Sequence, residues 1–162
     1  MLLGLFGAIA YGVIHDQITV RICPEYLTEW HPPIIASTDP NTVALAWGVV
    51  ATWWFGLILG AGLAFFTTVG SWPVAPWKWV VRSVTGIFGT AAFSATVAGL
   101  IVSLGGFQAN QEFFGPIFPP EDTVKWKAIL VVATIHTTSY IAAAVSAGIA
   151  GVAVLLLRSR LK

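Results

Sequence analysis

His15, Asp16 and His136 are the ionisable side chains set deepest in apolar stretches of this 162-residue chain. Imidazole and carboxylate together support three kinds of chemistry. They can ligate a transition-metal ion, since zinc, iron and copper all accept these donors, and Glu25 could join the set. The spacing matches no established ligand motif such as H-E-x-x-H. They can relay protons, because histidine titrates near neutrality and intramembrane ionisable groups often mark such paths. Two histidines at one depth can also ligate a b-type haem axially. That reading ranks last, because the rows of small residues described below leave little room for a macrocycle.

Other polar residues surround these three. Gln17 and Arg21 stand i,i+4 on one helical face, as do His15 and Thr19. If Pro24 merely kinks the chain, Glu25 comes within reach of Arg21, which would then hold Glu25 or an anionic ligand. Thr134, Thr137, Thr138, Ser139 and Tyr140 make an unusually polar run around His136. Trp53 and Trp54 fall near mid-span, and their indole N–H groups call for acceptors such as Asp16 or those hydroxyls. The plainer alternative is a self-satisfied polar plug. In it Asp16 pairs with Arg21 or His15, His136 bonds a backbone carbonyl, and the group fixes helix register. His31, beside Pro32 and Pro33, reads as a surface turn residue, and Cys23 as inert.

The elements that must carry these residues follow from composition. The chain is 57% hydrophobic and only 9% charged, against about 45–50% and about 25% in soluble domains. Neither a water-soluble globule nor a disordered chain has that balance. Eight Lys/Arg, with no basic stripe, exclude a nucleic-acid partner. The lone Cys23 excludes an internal disulfide. Crossing about 30 Å of hydrocarbon takes about 20 apolar residues in a helix, and four stretches qualify: residues 2–22, 43–69, 79–104 and 127–157. The first lacks the basic start and the cleavage site of a signal peptide, so it is read as a retained span.

The expected architecture is therefore all-α, a single-domain bundle of four transmembrane helices, with a short interfacial helix at residues 24–30. Five basic residues (Lys78, Arg82, Arg158, Arg160, Lys162) fall on the side of the termini, and three (Arg21, Lys125, Lys127) on the other. The positive-inside rule then places both termini in the cytoplasm. Trp72, Trp77 and Trp79 read as interfacial anchors, and the loop at 105–126 is apolar enough to lie on the bundle or the bilayer. Gly56/Gly60, Ala91/Ala95/Gly99 and Ala143/Ala147/Gly151 form small-residue rows for close helix contact, within the bundle or against partner subunits. Helical rise puts His15 about 20 Å along the first span, and His136 about 13 Å below the start of the last. In a core about 30 Å thick these depths nearly coincide.

The string His15-Asp16-Gln17-Ile18-Thr19-Val20-Arg21-Ile22-Cys23-Pro24-Glu25-Tyr26, followed by His31-Pro32, resembles a group of small uncharacterised bacterial multi-pass membrane proteins. Their signature is H-D-Q-x-T-x-R-x-C-x-E-Y after a short apolar start. Ala46 to Trp54 is also similar to that group, and the likeness covers about the first third of the chain. Pro24 departs from the pattern, which has an apolar residue there. The resemblance implies a multi-pass protein of the bacterial cytoplasmic (inner) membrane and supplies no reaction. Two roles follow. One is an intramembrane site near the non-cytoplasmic half, in which His15, Asp16 and His136 bind a metal ion or relay protons while Arg21, Glu25 and Gln17 orient it. The other is a non-catalytic accessory or scaffolding subunit of a larger membrane complex. No nucleophile–base pair or nucleotide fingerprint points to an enzyme class.

Overall fold

The computed structural model describes residues 1–106 and 123–161, and all regular structure among them is helical. Among the described residues six α-helices follow in order: α1 (Leu2–Ile22), α2 (Pro24–Thr28), α3 (Pro40–Val50), α4 (Trp53–Thr68), α5 (Trp77–Ile101) and α6 (Thr123–Arg158). Four segments are long and apolar enough to cross a membrane: Leu2–Ile22, Pro40–Thr68, Trp77–Gly105 and Lys125–Arg158. The expected four-span bundle is present, with its second, third and fourth spans starting two to three residues early. The short helix α2 ends at Thr28 rather than at residue 30. Most of the apolar third loop, residues 107–122, lies outside the described residues.

Local chemistry sets the boundaries. Cys23 precedes a proline, which disfavours helical backbone, and it is extended at φ −151° and ψ 93°. α1 therefore ends there, and Pro24 starts α2 at a first-turn position, where its missing N–H costs nothing. Asp39 caps α3 by accepting bonds from Thr42 N at 2.8 Å and Thr42 Oγ1 at 2.6 Å. Those bonds hold the Asp39 carboxyl below its ordinary range. The second span breaks between α3 and α4 at Ala51–Thr52. There Thr52 Oγ1 donates to Gly48 O at 2.5 Å, the back-bonding that bends helices.

The bundle has two ends of different character. Met1, the turn at 69–76 and the C-terminus of α6 gather at the near end. The end of α1, α2, and the starts of α3 and α6 gather at the far end. At the near end α1 and α4 touch backbone to backbone: a Cβ on Gly4 would sit 2.7 Å from Gly60 Cα, and one on Gly56 2.8 Å from Gly4 O. Only glycine permits that approach, as the Gly56/Gly60 spacing implied. Higher up, Gly48 meets the Val13 backbone in the same way, closing α1 on α3. Ala91, Ala95 and Gly99 line α5 where it lies along α6. α1 and α6, in contrast, hardly meet through their backbones. Side chains bridge the space between them.

Arg158 has a structural part that charge counting alone does not show. Fully buried, it donates from Nε to Pro73 O (2.7 Å), from Nη1 to Phe66 O (2.7 Å) and from Nη2 to Trp72 O (2.9 Å). A single guanidinium thus ties the end of α6 to the end of α4 and its following turn. The planar guanidinium spreads its donors over three nitrogens, one for each carbonyl.

Candidate metal centre

Asp16 lies on α1 six residues before its end, and His136 on α6 faces it. His136 Nε2 is 3.7 Å from Asp16 Oδ1 and 3.3 Å from Thr19 Oγ1, one helical turn along. His15 meets the His136 ring edge to face, with centroids 4.6 Å apart and planes at 88°. One donor atom each from His15, Asp16 and His136 can be chosen so that all lie within 4.8 Å of one another. His15 and His136, expected at nearly one depth, lie side by side, and Asp16 is next to them.

The other expected members are placed elsewhere. Extended Cys23 breaks the helix between Arg21 and Glu25, so the pair does not form. Arg21 instead donates to the Gln17 carbonyl, to Gln17 Oε1 at 3.0 Å and to Asn41 Oδ1 at 2.7 Å, while Gln17 Nε2 donates to Asn41 O at 2.9 Å. These bonds tie the end of α1 to the start of α3, away from the cluster. Glu25 faces Lys125 at 3.5 Å and accepts from the Cys23 thiol at 3.6 Å. A bond from its own backbone N–H, with the thiol and Lys125, holds its carboxyl below the ordinary range. Trp53 and Trp54 turn outward and are nearly half exposed, because the break at Ala51–Thr52 resets the helical phase. Cys23 is buried in an apolar cluster with Val102, Trp126 and Leu130, as an inert thiol should be.

Asp16 is the decisive group. Its side chain is 4% exposed, and among the described residues it accepts no hydrogen bond within 3.5 Å; its nearest partner is His136. A buried carboxylate without donors is costly. The plug reading needed it paired with Arg21 or His15, and neither pair is present.

Space adjoins the carboxylate on two sides. Toward the bundle interior a cavity of about 30 Å³ touches His15, Asp16, Thr52, His136, Ser139 and Tyr140. That is room for about two waters. Tyr11 and Ser139 close it with a 2.6 Å hydroxyl pair. Toward the far end lies a chamber of about 250 Å³, walled by Tyr26, His31, Trp47 and Tyr140 above Asp16 and His136. His15 also borders an apolar groove of about 630 Å³ between α1, α5 and α6.

The chamber walls were not legible as a group, because they come from α2, the following turn, α3 and α6. Their one sequence signal is the crowding of Tyr, Trp and His near one end. His31, expected on the surface, is half-buried: its Nδ1 donates to Tyr26 O at 2.6 Å and its ring meets Trp47 at 5.1 Å. Burial pushes the Tyr26 phenol above its ordinary value, so it stays neutral.

No family model, curated protein or solved structure matches the chain. The site is therefore read from its own geometry. Tetrahedral zinc bound at 2.0–2.1 Å sets neighbouring donors about 3.4 Å apart. Moving from 4.8 Å to that spacing asks about 1.5 Å of closure, within reach of side-chain rotation. Two imidazoles and one carboxylate suit zinc and neighbouring divalent metals, and leave a position for water. Haem does not fit between rings already in edge contact.

Proposed function

We propose that this integral membrane protein binds a divalent first-row transition-metal ion through His15, Asp16 and His136. The observation that carries the reading is the convergence of three donors on a buried carboxylate that accepts no hydrogen bond. Metal binding supplies what the carboxylate lacks, and neutral imidazoles are the donors that suit it. The cluster also stops short of the near end. Past the Tyr11–Ser139 pair come Leu59, Leu63, Val84, Ile87 and Ala91, a dry apolar core. A site that opens toward one end supports reversible binding better than a proton path across the membrane.

Orientation and location extend the same reading. With both termini in the cytoplasm of a bacterium, the near end carries Lys78, Arg82 and Arg160, and the site opens to the non-cytoplasmic side of the inner membrane.

The test uses chelator-stripped protein in detergent, titrated with Zn²⁺ and Co²⁺ and followed by calorimetry and visible absorption. The expected result is one ion per chain, with cobalt bands of low-coordinate geometry. Asp16→Asn and His136→Ala should abolish the signal. Absence of saturable binding below about 1 mM, or variants that bind as the wild type does, would overturn the proposal.

A further inference from the structure

The chamber above Asp16 has features that a metal site does not need. Three polar atoms on its aromatic wall are committed to backbone carbonyls. Trp47 Nε1 donates to Leu27 O at 3.1 Å, Tyr140 Oη donates to Ala51 O at 2.9 Å, and His31 Nδ1 donates to Tyr26 O at 2.6 Å. These bonds hold the rings that line the space. Tyr26 adds another ring, held against His31 at 4.8 Å and His136 at 5.0 Å. The one acidic side chain lining the cavity is Asp16, nine-tenths buried, with His136 at 3.7 Å as its nearest partner.

A space walled by aromatic rings beside one carboxyl group suits a cation with no hydrogen-bond demands of its own. Ring faces attract positive charge, and they do so most strongly where water is displaced. A strongly hydrated inorganic ion gains little from such walls. At about 250 Å³ the chamber lies below the range of about 300–1,000 Å³ that holds drug-sized ligands, which limits the occupant to a small cation.

We propose that this chamber is a binding site for a small alkylammonium group, with Asp16 as counter-ion and Trp47, Tyr26 and Tyr140 as its cage. The group can belong to a free molecule or to a lipid headgroup, since the chamber lies at the end of the bundle. This site overlaps the metal site at Asp16 and His136 and differs from it in the rest of its lining. The cage depends on Trp47 and not on His15, whereas the metal site depends on His15 and not on Trp47.

The test is calorimetric titration of the purified protein in phosphatidylglycerol nanodiscs with choline, and with its neutral isostere 3,3-dimethylbutanol. Choline should bind saturably and the isostere at least about tenfold more weakly. Asp16→Asn should abolish choline binding. Trp47→Leu should weaken it about tenfold, Trp47→Phe should recover most of the loss, and His15→Ala should leave it within about twofold. Retained helicity by circular dichroism confirms that each variant is folded. Repeating the titration in discs containing phosphatidylcholine separates the sources. Weaker choline binding there assigns the site to a headgroup, and unchanged binding to a free cation. Equal binding of the isostere, indifference to Asp16→Asn, or no saturation by about 10 mM would overturn the proposal. Choline binding that survives His15→Ala while Zn²⁺ binding is lost would show the two sites to be separable.

Discussion

The near and far ends of this bundle use opposite means to join helices. At the near end glycines remove the space between α1 and α4, and Arg158 locks α6 to the turn before α5. The buried guanidinium there is fully bonded. At the far end α1 stands off from α6, and imidazole, carboxylate and hydroxyl groups cross the gap without closing it. Space next to a donor-starved carboxylate is the mark of a site, whereas space removed by glycine is the mark of a scaffold. Because lipid supplies no hydrophobic drive for helix association, a bundle can leave such a gap only if close packing elsewhere holds it together.

Experiments at each end can break or sharpen this contrast. The largest effect is expected at the far end: removing a ligand with His136→Ala should weaken Zn²⁺ binding at least about 100-fold while the thermal stability of the ion-free protein falls little. A large loss of stability instead would make the cluster a structural tie. Next, Arg158→Met strands the carbonyls of Phe66, Trp72 and Pro73, and should cost about 1.5–3 kcal/mol in detergent unfolding. Arg158→Lys should recover only part, since an ammonium cannot span all three. Gly56→Val, which pushes a side chain into Ala8 and the α1 backbone, should cost about 1–3 kcal/mol and leave metal affinity unchanged.

The smallest effect concerns the rim pair. Lys125→Ala should change stability by no more than about 1 kcal/mol, because the pair is solvent-accessible. Its pH dependence has a definite sign. The folded carboxyl of Glu25 lies below its ordinary value of 4.5, so its contribution is present above that pH and is lost as pH falls through the lowered value. A melting temperature that rose on acidification over that window would contradict the assignment.

How much of this could be read beforehand depends on distance along the chain. Spans and shared depth follow from helical rise and apolar length, which is why His15, Asp16 and His136 could be brought together on paper. The Arg21–Glu25 pair failed because a proline reset two dihedrals at Cys23, and a single extended residue turns every later side chain away. The outward faces of Trp53 and Trp54 failed for the same kind of reason at Ala51–Thr52. The caging of Asp16 by Tyr26, Trp47 and Tyr140, and the three carbonyls gathered by Arg158, depend on tertiary placement of separate segments, which spacing alone does not encode.

The gap between α1 and α6 has one more consequence. An ion held by residues on both helices acts as a cross-link that the sequence does not contain, and its strength varies with supply. At 100 times its dissociation constant such a ligand adds about 2.7 kcal/mol to the folded state. The far end should therefore resist protease and heat according to how much ion surrounds it, while the glycine-closed end keeps a fixed stability of its own.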